Sequence, residues 1–158
     1  MQTNWLLVAD EGVARICQWQ GSDAHFQDVE TLTHASAHAK AADLRRDAQG
    51  RRTGHGARSG TSVTNSASLD PEHAEAVLFA DRVNEWLADA RQAGRFDRLR
   101  IVAAPRFLGL LRQSIKPDVA AAVFDEIPKD LVNESRTDLE RRFLGEHSAA
   151  DNSADQLK

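Results

Sequence analysis

The sequence predicts an α/β fold, in which a mixed sheet of about five strands carries helices packed on it. Two short and continuously apolar runs, at residues 5–9 and 99–104, are typical of strands with both faces buried. One helix begins before the second run and another begins directly after it, each with a proline at the first helical position (Pro71 and Pro105). Strands come first and helices alternate with strands afterwards, which indicates antiparallel pairing followed by parallel crossovers.

Length and composition suit one cytosolic domain. The chain has 158 residues, and its 20 basic and 24 acidic residues give a net charge of −4. This balance argues against a surface that binds nucleic acid all over, but leaves a local basic patch open. No apolar run approaches the roughly 18–20 residues of a membrane span, and the first residues do not form an export signal. We therefore expect a cytoplasmic location and no membrane insertion. Cys17, the one cysteine, allows neither an internal disulfide nor a zinc site of the usual type.

The first strands form an antiparallel start. The strand at 5–9 ends at a turn signal, Asp10-Glu11-Gly12, and a second strand follows at 13–20 with apolar and polar residues interleaved. Gly21-Ser22-Asp23 closes a hairpin to a third strand at about 25–32.

The composition changes at residues 33–69, where Leu44 and Val63 are the exceptional large apolar residues. Such a segment cannot bury enough surface to offset the entropy lost on ordering. It predicts a long flexible loop, with a short helical piece near 39–47. Six basic and two acidic residues between Lys40 and Arg58 give this stretch a net charge of +4, so the remainder carries −8.

The long helix is predicted at 71–93. Asp70 is a capping residue, Pro71 suits the first helical position, and Gly94 is a natural stop. Apolar residues recur along it at helical spacing and predict a buried stripe: Ala76, Phe79, Ala80, Val83, Leu87 and Ala90.

Four elements are predicted after the strand at 99–104. A helix begins at Pro105 and ends at Lys116-Pro117, and a helical turn follows at 118–122. A last strand spans 123–127, and Ser135 caps a last helix that ends at Gly145. Residues 1–145 thus form a single α/β domain, and the polar tail at 146–158 is expected to be disordered.

Polar residues follow the ends of three predicted strands. Asp10 follows the first strand, Arg106 follows the strand at 99–104, and Lys129 and Asp130 follow the last strand. If these strands are parallel neighbours, the four side chains converge on one edge of the sheet, where α/β folds bind ligands. The functional interpretation is a binding site for an anion or a polar partner. The alternative is a set of ordinary capping and ion-pair residues.

The basic loop is a second candidate binding site. Flexible glycine allows backbone amides to approach phosphate closely, and guanidinium groups pair with phosphate through two hydrogen bonds. The spacing of the glycines in this loop matches neither the dinucleotide-binding fingerprint nor the Walker phosphate-binding loop. The alternative is a disordered surface loop with solubilising charge. The candidate residues are Arg45, Arg46, Arg51, Arg52, His55 and Arg58.

No catalytic constellation is predicted. His34 and His38 are four residues apart and could share a helical face, but a metal site needs further ligands. A Gly-x-Ser-x-Gly elbow is absent from the sequence. We therefore predict no catalytic residue, no metal and no cofactor.

Two segments are distinctive: Pro-Arg-Phe-Leu-Gly-Leu-Leu-Arg at 105–112 and Lys-Asp-Leu at 129–131. With other segments over about residues 4–144, they resemble a bacterial family, the proteins required for attachment to host cells. The resemblance implies a role in bacterial attachment to a host. The other matching segments are Trp5–Asp10, Ala14–Ile16, Asp43–Leu44, Gly50–Arg51, Phe79–Ala80, Phe96–Leu99 and Glu126–Pro128.

The family is also similar to the middle domain of archaeal and eukaryotic peptide-chain release factors. In that domain a Gly-Gly-Gln loop lies between a strand and a long helix. Here Gly54-His55-Gly56-Ala57-Arg58-Ser59 lies before the helix at 71–93, without the Gly-Gly-Gln triplet. This likeness implies a release-factor-like fold and leaves open binding to RNA or the ribosome.

Three functional hypotheses follow. The first is a non-enzymatic cytosolic protein that affects attachment indirectly, through a protein partner. The second is an RNA- or ribosome-associated domain that uses the basic loop. The third is a small-molecule or nucleotide enzyme built around Asp10 and Arg106.

Overall fold

A computed structural model of the chain describes residues 2–34 and 70–145. A five-stranded sheet has the order β3-β2-β1-β4-β5. β1 pairs antiparallel with β2, and β2 does so with β3, whereas β4 runs parallel to both β1 and β5. The predicted mixed α/β sheet is confirmed. The strands are β1 (Thr3–Ala9), β2 (Val13–Gln20), β3 (Gln27–Thr33), β4 (Arg98–Ala103) and β5 (Val123–Ile127).

Helices lie on both faces of the sheet. α1 packs against α2 and α3 on one face, and α4 with the segment before it covers the other. Within the described ranges, none of the helices combines the length and apolar character needed to cross a bilayer. Most of the predicted loop and all of the predicted tail fall outside these ranges. The helices are α1 (Pro71–Gln92), α2 (Pro105–Ser114), α3 (Pro117–Ala122) and α4 (Arg136–Phe143).

The third strand begins two residues later than predicted. The carboxylate of Glu140 accepts a hydrogen bond from the backbone N–H of Phe26 at 2.9 Å and lies 3.2 Å from Nδ1 of His25. The amide of Phe26 is therefore used by α4, and pairing with β2 starts at Gln27.

The two faces of the sheet hold separate apolar clusters, because successive side chains of each strand point to opposite sides. The first cluster joins the sheet to α1–α3: Trp5, Leu7, Ile16, Ile101, Phe79, Val83, Leu87, Phe107 and Leu111 are among its buried members. The second joins the sheet to the carboxyl-terminal segment: Leu6, Val8, Cys17, Trp19, Phe26, Val102, Leu131, Val132, Leu139 and Phe143 are buried.

A buried amide fixes α2 against α1. Asn84 is 2% exposed, and its Nδ2 donates to the carbonyl of Leu111 at 3.0 Å and to Oγ of Ser114 at 2.8 Å. Leu111 lies in the last turn of α2, where carbonyl oxygens have no partner within the helix. Asn84 therefore satisfies a carbonyl in the last turn of α2 and joins that helix to α1.

The segment before α4 is held by a side chain from the sheet. Arg15 of β2 donates from Nη1 to the carbonyls of Val132 and Glu134, at 2.9 and 2.7 Å. Together with the bonds of Glu140, this ties the second face of the sheet to residues far away in sequence.

Replacing Asn84 by alanine will destabilise the fold. The change leaves the Leu111 carbonyl and the Ser114 hydroxyl without their donor, which costs about 1–3 kcal/mol of unfolding free energy. Urea unfolding followed by circular dichroism measures it. Glu85→Ala, an exposed position on the same helix, is the control and should change stability by less than about 0.5 kcal/mol. Equal effects of the two variants would contradict the role given to Asn84.

The docking of α4 will weaken in acid. Burial raises the pKa of Glu140, but the hydrogen bond from Phe26 and the bond and charge of His25 outweigh it and hold that pKa below its ordinary value of 4.5. The stabilisation is therefore complete above pH 4.5 and is lost as pH falls through the lowered pKa. Glu140→Gln removes this titration. The variant's loss of unfolding free energy relative to the wild-type protein should therefore be smaller at about pH 3 than at about pH 7. A deficit independent of pH in urea unfolding would refute this account.

Candidate functional site

The carboxyl ends of β1, β4 and β5 meet at one edge of the sheet, as expected for parallel neighbours. Ala9 is opposite Ala103 in the register, and Val102 is opposite Ile127. We call this edge the carboxyl rim and define it as residues 10–12, 104–106 and 128–130. The four predicted residues, Asp10, Arg106, Lys129 and Asp130, all belong to it. None of these four side chains is bonded directly to another.

Asp10 shapes the turn between β1 and β2. Its Oδ1 accepts hydrogen bonds from the backbone N–H groups of Gly12 and Val13, at 2.8 and 2.9 Å. Its own N–H donates to the carbonyl of Val13 at 2.9 Å. A carboxylate used in this way acts as a turn cap, so here the geometry matches the alternative interpretation of this residue.

Lys129 and Asp130 lie after β5 and are exposed. The N–H of Lys129 donates to the carbonyl of Ile127 at 3.0 Å, which closes a turn. Oδ1 of Asp130 lies 3.5 Å from the N–H of Val132, a long contact at the start of the segment that covers the second face.

Arg106 joins three elements at the carboxyl rim. It is the second residue of α2, its side chain is 59% exposed, and its Nε lies 3.5 Å from Oε1 of Glu11. Its Nη2 lies 3.3 Å from Nδ1 of His73, in the first turn of α1. Because a guanidinium only donates, this contact requires Nδ1 of His73 to be unprotonated. The arrangement presents a cation to solvent while a carboxylate and an imidazole fix its direction.

Sequence reasoning missed Glu11 and His73. Glu11 is the neighbour of Asp10 in the turn, and His73 follows the cap residue Asp70 by three positions. Glu11 belongs to a turn that was predicted at the edge of the sheet, whereas no prediction placed the start of α1 there. The side of each turn that faces Arg106 is set by packing between elements, which no local pattern encodes.

The described residues on either side of the basic loop contact the carboxyl rim or lie near residues that do. The N–H of His34, directly after β3, donates to the carbonyl of Gly12 at 2.9 Å. Asp70 caps α1, three residues before His73, and accepts a hydrogen bond from the N–H of Glu72. The six candidates in the basic loop, Arg45, Arg46, Arg51, Arg52, His55 and Arg58, lie between these two points and outside the described ranges.

The exposed side chains of the carboxyl rim include a guanidinium and an ammonium group, which form hydrogen bonds and ion pairs. The described ranges contain no cluster of three or more histidine, cysteine, aspartate or glutamate side chains able to hold a metal ion. Burial, and then the neighbouring carboxylate of Asp28, raise the pKa of Cys17 to about 11, so at neutral pH it is a protonated core thiol.

Solved structures give remote likenesses. One is described only as an archaeal protein, with 8% identity and a TM-score of 0.44, and the match covers 97% of this chain and 39% of that one. Another is an Aquifex aeolicus Ppx/GppA phosphatase, with 12% identity, a TM-score of 0.40, and coverage of 80% and 36%. This chain thus spans less than two fifths of either protein. Neither likeness supports a conclusion about function, and the similarity to release-factor middle domains stays a prediction.

A family comparison identifies the chain. No curated protein matches it, but the profile of one family, described as "Protein required for attachment to host cells", matches residues 5–143. The match begins in β1 and ends with the last residue of α4, so it includes every element of the sheet and both of its covered faces. The resemblance found in the sequence is confirmed: the chain belongs to the family of proteins required for attachment to host cells.

Proposed function

We propose that this protein acts in attachment to host cells indirectly, as a non-enzymatic cytosolic protein whose carboxyl rim binds a partner protein. The family supplies the role in attachment. One observation supports the rim as the contact surface: the exposed Arg106 is oriented by Glu11 and His73.

Charge favours an acidic partner. The stretch from Lys40 to Arg58 carries +4, whereas the rest of the chain carries −8. An acidic protein surface is attracted to positive charge, which at the rim is carried by the exposed Arg106 and Lys129. The net positive charge of residues 40–58 favours the same class of partner.

Binding fits the carboxyl rim better than acid–base chemistry does. The carboxylate of Asp10 already accepts two backbone hydrogen bonds that close a turn, so using it as a base would disturb that turn. Cys17, buried and protonated, is compatible with the reducing cytosol. Both features support a structural scaffold with a recognition surface.

Reversing the charge at the rim tests this proposal in the native organism. Arg106→Glu removes the cation and places a carboxylate beside Glu11, so attachment should fall several-fold, towards the level of a strain that lacks the gene. Arg95→Glu is the matched control, because Arg95 is also exposed but lies over Trp5 and Trp86. Adhesion counts measure the effect, and a thermal melt of each purified variant confirms folding. Normal attachment of the deletion strain would refute the proposal.

Binding to RNA or the ribosome is a second candidate, favoured by the arginine- and glycine-rich composition between Lys40 and Arg58. Affinity capture from native lysate, with and without nuclease, separates the two. The main proposal expects a protein partner that survives nuclease and is lost with Arg106→Glu. If the protein binds RNA, capture is instead sensitive to nuclease, and the affinity falls steeply as the salt concentration rises. The slope of log affinity against log salt concentration then decreases by about one for each phosphate-contacting arginine that is replaced. That second outcome would replace the main proposal.

A further inference from the structure

β3 is an outer strand of the sheet, and one of its edges has no neighbouring strand among the described residues. We call this the free edge of β3. The other outer strand, β5, has 5 residues, whereas β3 has 7. Backbone N–H and C=O groups along such an edge can pair with a strand of another chain, and very short outer strands reduce this risk. The longer edge of β3 therefore needs another kind of protection.

The ladder between β2 and β3 determines which backbone groups point outwards from the sheet. The N–H of His34 donates to the carbonyl of Gly12 at 2.9 Å, directly beyond the end of the paired strands. Opposed residues in an antiparallel ladder alternate between hydrogen-bonded and non-hydrogen-bonded pairs. Thr33 and Thr31 lie one and three positions before His34, so they belong to non-hydrogen-bonded pairs. Their N–H and C=O groups consequently point away from β2, towards the free edge.

Side chains already occupy two of these outward groups. Oε1 of Glu30 accepts a hydrogen bond from the N–H of Thr31 at 3.0 Å. Nη1 of Arg82, from α1, donates to the carbonyl of Thr33 at 2.9 Å. All four residues are exposed, so another chain can reach this edge. A strand that pairs here must displace a carboxylate from one group and a guanidinium from the other.

A bulge interrupts the first half of the same edge. The register shifts at Val29, which has no partner in β2 between Asp28 and Glu30. A bulge bends its strand and increases the local twist, which disfavours regular pairing. Asp28 also holds an ion pair with Arg136 of α4, at 3.1 Å. The regular part of the free edge is therefore residues 30–33, where Glu30 and Arg82 make their contacts.

We propose that Glu30 keeps the free edge of β3 from pairing with the same edge of a second copy of this chain. An antiparallel pair centred on Thr31 needs the N–H of that residue in both copies, and Glu30 holds this N–H in each. The pair would also place both Glu30 carboxylates on one face, each opposite Leu32 across the twofold axis, where like charge disfavours association. Arg82 supplements Glu30 by holding the Thr33 carbonyl. The proposal is independent of the role given to the carboxyl rim.

Sedimentation velocity of the full chain over a range of concentrations tests the proposal. Glu30→Ala frees the N–H of Thr31 and removes the carboxylate from both copies, so dimerisation should become at least about tenfold tighter than in the wild-type protein. Glu85→Ala is the matched control, because it removes the same charge from an exposed position on α1, and it should leave association unchanged. Equal association of Glu30→Ala and the wild-type protein, or of the two variants, would overturn the proposal.

Amide hydrogen exchange identifies the edge that pairs. In Glu30→Ala, the N–H of Thr31 is bonded across the new interface, so its exchange should slow as the protein concentration rises. In the wild-type protein this exchange should not depend on concentration, and a dependence there would refute the proposal.

A proline at the free edge provides a second check. Thr31→Pro, added to Glu30→Ala, removes an outward donor without removing a bond to β2. The double variant should therefore return to the association of the wild-type protein, with a thermal melt to confirm that it is folded. A folded double variant that still dimerises as Glu30→Ala does would place the interface elsewhere and contradict the proposal.

Discussion

β1 is hydrogen-bonded on both edges and buried on both faces, and the rest of the structure depends on this position. It pairs antiparallel with β2 and parallel with β4, and Trp5, Leu6, Leu7 and Val8 are each 0% exposed. A strand in this environment requires a cover on each face. The parallel partner also requires a crossover, which returns the chain across the sheet before β4 begins. α1 is the helix of that crossover within the described residues, and α4 supplies part of the second cover.

The same arrangement makes the two ends of the sheet chemically different. Parallel strands place their carboxyl ends together, so the residues after β1 and β4 form a rim where Arg106 is held by Glu11 and His73. At the opposite end, no described side chain pairs with Oδ1 of Asn4, and Arg98 has no carboxylate partner in the described part of the chain. The rim presents an exposed guanidinium, whereas at the opposite end the guanidinium of Arg98 lies over the ring of Phe124.

Strong local signals explain what could be predicted from the sequence. Continuous apolar runs gave β1 and β4, and proline after a capping residue gave the start of α1. The family followed from the segments around 105–112 and 129–131, and the match over residues 5–143 confirms it. The topology also placed Asp10, Arg106 and Lys129 at one edge, because that inference needs only strand direction.

Contacts between distant elements explain what could not be predicted. Asn84 sits in the stripe of α1 as an ordinary polar residue, and its role depends on where the last turn of α2 lies. In the sequence, nothing distinguishes Glu140 from a surface glutamate, because its role depends on the packing of α4 beside Phe26. The concavity beside Arg98 is lined by residues of four strands, β1, β2, β4 and β5. Each of these depends on register and packing, which a single sequence specifies only through the complete fold.

Site-specific photocrosslinking in living cells tests the central claim, that the carboxyl rim is a protein-binding surface, most directly. A photoreactive residue in place of Lys129 samples the rim without removing Arg106, and one in place of Gln92 samples an exposed position at the far end of α1. The account predicts a nuclease-resistant protein adduct from position 129 and none from position 92. Adducts of equal yield from both positions, or an adduct to RNA alone, would contradict it.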